Sequence, residues 1–179
     1  MLTYSSESSW VLVTFVLGNI ISFKQGFLNL TGLYISFCST ASTEAHQKAK
    51  RSYINSTMKN VTALPKLRNL DILNGMNSNE DSDEKPYTDE WSQMRELESL
   101  EVIYSEDHDF NRRLVLYCPN DIMYIGLSQF KSEGLHLLLR NKTFPNLDSF
   151  RFYECEFSSE EMSNFLQTFG SQLKYLSII

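Results

Sequence analysis

Two segments of this chain repeat one pattern of apolar residues. Phe27 to Cys38 reads FLNLTGLYISFC and Phe144 to Cys155 reads FPNLDSFRFYEC, and without gaps both give Phe-x-Asn-Leu-x-x-apolar-x-apolar-x-x-Cys. Self-similarity of this kind constrains the fold more than any local propensity, because each unit can bury its apolar side only against the next. Counting the Leu after Asn as the first position, the core positions are the first, fourth and sixth. Three further segments keep that spacing: Leu67, Leu70 and Ile72; Leu97, Leu100 and Val102; and Leu173, Leu176 and Ile178. A short strand alternates its side chains, so the fourth and sixth positions point to one side, and the first turns inward from the preceding loop. The ninth position, Cys38 or Cys155, lies where the chain leaves the strand. Its thiol is expected to be structural, buried or close to loop backbone groups.

From Leu30 the first positions are 37, 30, 50 and 26 residues apart. The interval of 50 predicts one more unit. Ile122, Ile125 and Leu127 would divide it into 25 and 25, whereas aligning the helix that follows favours Met123 and Ile125 as the inward residues. Both registers fit the sequence.

The spacing L-x-x-L-x-L-x-x-N/C is that of leucine-rich repeats. Between the strands lie helix signals. Ser158, Ser159, Glu160 and Glu161 provide an N-cap and an acidic first turn ahead of Met162, Phe165, Leu166 and Phe169 at helical spacing. Lys131 to Arg140 is the counterpart one unit earlier, with Leu135, Leu138 and Leu139 inward. Glu44 to Lys59 is a long polar helix candidate, and Trp10 to Phe23 (WVLVTFVLGNIISF) reads as the buried helix of an earlier unit. The expected fold class is α/β: a leucine-rich repeat solenoid with short parallel strands on the concave face and helices on the convex face. The expected organisation is an apolar helix of an incomplete first repeat over residues 1–26, then a strand, a long helix and a second strand over 27–73. An acidic flexible loop follows over 74–90, and further repeat units over 91–179 end in the last strand, so that the chain reads as a fragment lacking caps.

Composition narrows the function classes. With 22 Asp and Glu against 16 Lys and Arg the net charge is -6, and the only basic cluster is Lys48, Lys50 and Arg51. Nucleic acid as main partner is disfavoured, since phosphate binding needs a concentrated basic surface. Cys38, Cys118 and Cys155 are odd in number and widely spaced, as expected of free thiols in a cytoplasmic or nuclear protein. The run from Trp10 to Phe23 lacks a basic n-region and a small-residue cleavage site, and its 14 residues fall short of the roughly 20 that span a bilayer. Four sequons, at Asn29, Asn55, Asn60 and Asn141, exceed only slightly the roughly two that an Asn-, Ser- and Thr-rich chain yields by chance. The segment NGMNSNEDSDEKPYTDE, Asn74 to Glu90, is too polar to bury itself and reads as a projecting loop.

Catalytic chemistry needs an activated group beside a partner. His46 lies in a polar helix, His108 in the acidic SEDHDF segment and His136 beside the leucines of a helix. No phosphate-binding glycine loop, Gly-x-Ser-x-Gly elbow, Cys-x-x-Cys or His-x-x-x-His is present. The expectation is a non-enzymatic protein–protein interaction module without metal or cofactor. The strand positions between the inward residues form rows on the outward face. The fifth-position row holds Tyr34, Asp71, Glu101, Arg151 and Ser177, and the seventh holds Ser36, Leu73, Ile103, Tyr153 and Ile179. Tyr34, Asp71, Leu73, Glu101, Ile103, Arg151 and Tyr153 are the candidate partner-binding residues, apolar and aromatic groups among charges.

The run SEGLHLLLRNKTFPNLDSFRFYECEFSSEEMSNFLQTFGSQLKYLSI, about the last 50 residues, resembles the leucine-rich repeats of fungal F-box-type proteins. There a Ser-x-Glu-containing helix leads to Pro-Asn-Leu and then to a strand ending in Cys. The resemblance implies a solenoid that holds a substrate while an F-box docks on the adaptor of a cullin-RING ubiquitin ligase. No F-box is legible in this chain, because LPKL at Leu64 to Leu67 already belongs to a repeat. A general repeat scaffold with no ligase link and an extracellular repeat protein are the alternative readings.

Overall fold

The fourth and sixth positions form the middles of parallel strands. The computed structural model describes residues 2–4, 10–15, 29–37, 56–74, 94–103, 118–141 and 143–179. Eight strands make one sheet in chain order: β1 (Leu2–Tyr4), β2 (Trp10–Phe15), β3 (Gly32–Phe37), β4 (Asn69–Asn74), β5 (Ser99–Ile103), β6 (Tyr124–Ser128), β7 (Ser149–Tyr153) and β8 (Tyr175–Ile178). β1 and β2 pair antiparallel, and every later neighbour pairs parallel. Helical segments follow over residues 56–62 (α1), Ser132–Asn141 (α2) and Ser159–Phe169 (α3). The protein is α/β with a single, mostly parallel sheet. No helix among the described residues is long and apolar enough to cross a membrane.

The register follows the repeat. Leu33, Leu70, Leu100, Ile125, Phe150 and Leu176 are successive partners across β3 to β8, and so are Ile35, Ile72, Val102, Leu127, Phe152 and Ile178. All of these from β3 to β7 are fully buried, and the first-position residues Leu30, Leu67, Leu97, Ile122 and Leu147 lie beneath them in the same core. A second device recurs in the backbone. The carbonyl of the residue after each first position accepts two N–H groups of the next unit: Thr31 from Arg68 and Asn69, Arg68 from Glu98 and Ser99, and Glu98 from Met123 and Tyr124. Met123 likewise accepts from Asp148 and Ser149, and Asp148 from Lys174 and Tyr175, all at 2.7–3.1 Å. This decides the register between residues 105 and 130. Ile122 is fully buried and Met123, 43% exposed, supplies the doubly accepting carbonyl, so Ile122, Ile125 and Leu127 are the inward set.

The strand exit is also built as its spacing suggests. Gln129 and Glu154 adopt left-handed backbone (φ 52° and 49°), and at the ninth position the Phe130 N–H donates to Cys155 Sγ at 3.3 Å while the thiol reaches the Tyr153 carbonyl at 3.2 Å. Burial pushes the Cys155 thiol above its ordinary pKa, which keeps it protonated and structural. Cys38 lies outside the described residues.

The helices close the core. Ser158 and Glu161 form a reciprocal capping box that starts α3. From α3, Phe165 meets Phe150 edge-on at 5.0 Å and Phe152 at 5.2 Å between ring centroids, and Phe169 lies 5.4 Å from Phe165. Met162 is partly buried against this cluster, whereas Leu166, expected inward, is 45% exposed. In α2, Leu135 and Leu138 are fully buried and Leu139 packs at the edge of the core. The long helix expected over Glu44 to Lys59 is represented by residues 56–62, with Met58 and Val61 buried; residues 44–55 lie outside the described set.

One expectation is overturned. Trp10 to Phe23, taken as an apolar helix within residues 1–26, begins with strand β2 at Trp10–Phe15, and Leu2–Tyr4 is a strand as well. Val11 and Val13 pair in register with Leu33 and Ile35. A continuous apolar run carries no periodicity to separate a buried strand from a helix, and the Val-, Thr- and Phe-rich part takes the strand. Residues 16–23, and residues 75–90 of the acidic loop, lie outside the described set.

Truncation of the ring that joins helix to sheet tests this packing. Phe165→Ala is expected to lower unfolding free energy by about 3–5 kcal/mol, and Leu166→Ala one residue on to change it by about 0.5 kcal/mol or less, both read by urea denaturation.

Candidate functional site

Strand residues that alternate with the buried rows lie on the open face of the sheet. Register places Tyr34, Asp71, Glu101, Gly126, Arg151 and Ser177 in one row, and Leu73 beside Ile103 in the next, with Ser128 beside Tyr153. All seven candidate residues, Tyr34, Asp71, Leu73, Glu101, Ile103, Arg151 and Tyr153, are half-buried on this face. Ser36, expected in the same outward row as Leu73, is instead buried, as is Ser128, while Ile179 at the end of its row is largely exposed.

The structure ties Glu101, Arg151 and Tyr153 into a single network and adds Tyr124. Glu101 Oε1 accepts from the Tyr153 hydroxyl at 2.7 Å and from the Tyr124 hydroxyl at 3.0 Å, and Arg151 Nη1 donates to the Tyr153 hydroxyl at 2.6 Å. Arg151 Nη1 also stands 3.8 Å from Glu101 Oε1. Its guanidinium carbon lies 5.5 Å from the Tyr153 ring centroid and 5.9 Å from that of Tyr175, within cation–π range. Glu101 on β5 and Tyr153 on β7 are separated by the whole of β6. Adjacent strands lie roughly 4.8 Å apart, so the contact exists only because Gly126 leaves the space between them empty. A Cβ there would stand 3.0 Å from both Glu101 Cγ and the Tyr124 hydroxyl.

This environment moves the titrating groups in opposite directions. Burial and the Glu101 carboxylate hold the Tyr124 and Tyr153 phenols above their ordinary pKa. The Arg151 guanidinium draws the exposed Tyr175 phenol down. The network gathers donors around one carboxylate oxygen and fixes side chains rather than priming one for proton transfer, while Arg151 Nε stays buried without a hydrogen-bond partner among the described residues.

Asp71 differs. It sits in the same row, one strand from Glu101, and among the described residues no cation or hydrogen-bond donor pairs with it. Burial, and secondarily the Glu101 charge, push its pKa up to about 6.

Sequence reasoning did not single out Tyr124, Gly126 or Tyr175. Tyr124 and Tyr175 occupy the third position of the repeat, and Tyr124 and Gly126 lie in the unit whose register was open; the Gly signal is a missing side chain between two rows of large ones. His136 pairs across helices with Glu161 at 3.4 Å and serves packing of α2 on α3. His46 and His108 lie outside the described residues. No family model matches the chain, and no curated protein and no solved structure matches it.

A raised carboxyl pKa is a cost in the folded state that depends on pH. The folded pKa lies above the unfolded value, so the proton-bound form favours folding below roughly pH 4, and that advantage is lost as pH rises through about 6. Asp71→Asn is therefore expected to stabilise the chain at pH 7.5 by about 1–2 kcal/mol, with the gain vanishing toward pH 4 in denaturation curves at the two pH values. Glu101→Gln should lower the Asp71 pKa seen by carboxyl NMR titration without restoring it fully, since burial is the larger cause.

Proposed function

We propose that this chain is a protein-binding module of the leucine-rich repeat kind, a solenoid with strands on its concave side and helices outside, without catalytic activity of its own. The observation that carries the reading is the open face itself. Seven half-buried residues from four strands come into two adjoining rows, with Leu73 and Ile103 side by side and Tyr34, Asp71, Glu101, Arg151 and Tyr153 around them. An apolar centre with an aromatic and charged rim is the composition of a protein interface. The network on Glu101 supports the same reading, because side chains already held in place lose less entropy on binding. The likeness of residues 132–178 to repeats of fungal F-box-type proteins makes substrate recognition for a cullin-RING ubiquitin ligase the particular form of this proposal.

Site-specific photo-cross-linking tests the face. A photoreactive residue at position 73 or 103 is expected to capture a partner that one at position 166, on the helix side, does not. Leu73→Lys with Ile103→Lys should remove capture while leaving the unfolding midpoint nearly unchanged, since neither residue belongs to the buried core. Equal capture from position 166 would contradict the assignment. For the ligase form, co-purification of a cullin adaptor with the full gene product is the expected result.

A further inference from the structure

The charges on the open face do not balance evenly along it. Toward β7, Glu101 and Arg151 offset one another across β6, reinforced by two phenol hydrogen bonds. Toward β4, Asp71 has only like or neutral company among the described residues: Glu101 on β5, Tyr34 on β3, and Asn69 and Leu73 as alternate neighbours on its own strand. Arg151, the cation nearest along the row, is committed to Tyr153 and Glu101. In the row beyond Asp71, Leu73 stands against Ile103. Among the described residues, Asp71 is thus a half-buried carboxylate without a countercharge, with an aromatic ring on one side and aliphatic side chains on the next row.

We infer that the open face takes a partner protein through a cationic side chain, arginine in preference to lysine, which docks on Asp71 between Tyr34 and Glu101 while apolar residues beside it cover Leu73 and Ile103. This rests on the binding-face reading above and names the chemistry of the partner. Arginine fits better because its planar, weakly hydrated guanidinium can bond a carboxylate with two N–H groups and lie against an aromatic ring, whereas an ammonium gives up more hydration at a half-buried site. Glu101 adds attraction without leaving its network, since the described residues engage its Oε1. A docked cation supplies what Asp71 lacks in the free chain, so part of the binding free energy is relief of a strain in the free protein.

The association should be pH-dependent. A cation favours the ionised carboxylate, so binding is full above the free-chain pKa of about 6 and weakens as pH falls through it. Among the described residues, the other titratable groups facing Asp71 are Glu101 on β5 and Tyr34 on β3, and the pH dependence is assigned to Asp71 by its loss in Asp71→Asn.

The test is selection of a short random-peptide library displayed on phage against the intact chain at pH 7.5, followed by affinity measurement on the synthetic winners. The expected winners carry Arg flanked by apolar residues. Their binding should weaken about tenfold or more on Asp71→Asn, on replacement of the peptide Arg by citrulline, and between pH 7.5 and pH 5. Asp71→Asn is expected to be at least as stable as the parent chain, so its loss of binding would not report unfolding. Winners that lack a cation, or that bind equally to Asp71→Asn or at pH 5, would overturn the inference. If such winners are still blocked by Leu73→Lys with Ile103→Lys, the binding face stands and only its cationic ligand falls. Winners indifferent to both changes, or no enrichment, would sink both.

Discussion

The carbonyl that follows each first-position residue accepts two N–H groups from the next unit, and the rest of the sheet depends on that contact. It spends both lone pairs of one oxygen on the entry to the neighbouring strand, so each strand begins at the same height as the one before it. With the entry fixed, the fourth and sixth positions of β3 to β8 stack without drift, and a one-residue slip would turn every inward side chain out. The core is then a set of aligned apolar rows, thickened at β7 by the Phe150, Phe152 and Phe165 rings. The same alignment acts on the other side of the sheet. Residues that make no contribution to the core are carried into rows simply because their neighbours in sequence are buried.

Within those rows, what a side chain does is decided by the strand next door. β6 presents Gly126 and Ser128 where its neighbours β5 and β7 present Glu101, Ile103, Arg151 and Tyr153, and it therefore acts as a trough across which β7 reaches β5. Glu101 and Tyr153 meet over it at 2.7 Å, a contact between residues 52 positions apart. No strand supplies such a trough beside Asp71, whose neighbours in the row are Tyr34 and Glu101. Two carboxylates in one row thus find different partners through the size of a residue that belongs to neither.

The parts legible from sequence were those set by spacing: the inward rows from β3 to β7, the strand exit at Cys155, the capped helix at Ser158, and the membership of the two outward rows. Register at Ile122 was not legible because Ile122 and Met123 are both apolar, and the deciding contact is a backbone carbonyl, which spacing does not encode. The strand at Trp10–Phe15 was read as helix because a continuous apolar run fits both, and its partner β3 settles the matter through pairing rather than propensity. Ser36 was placed outward by parity, correctly for its row, yet it is buried, since exposure depends on the bulk of what surrounds a small side chain. The network escaped notice for a related reason. It depends on Gly126, and a glycine in a strand is visible as a weakness of that strand before it is visible as room for its neighbours.

The contrast between Glu101 and Asp71 bears on why the face carries charge at all. A sheet face chosen only for stability would hold Thr, Asn or Val at both places, for a half-buried carboxylate loses hydration and recovers it only through partners. At Glu101 the partners are intramolecular, so its charge is consistent with a purely structural role. At Asp71 none is found among the described residues, and a second carboxylate one strand away adds to the cost. Sites that sacrifice folded-state stability in this way are the ones where a ligand can return it, because only differential interaction between free and bound states contributes to affinity. The structural network and the half-buried Asp71 carboxylate then have complementary parts: one holds the surface in shape, and the other is the place where a cation would complete it.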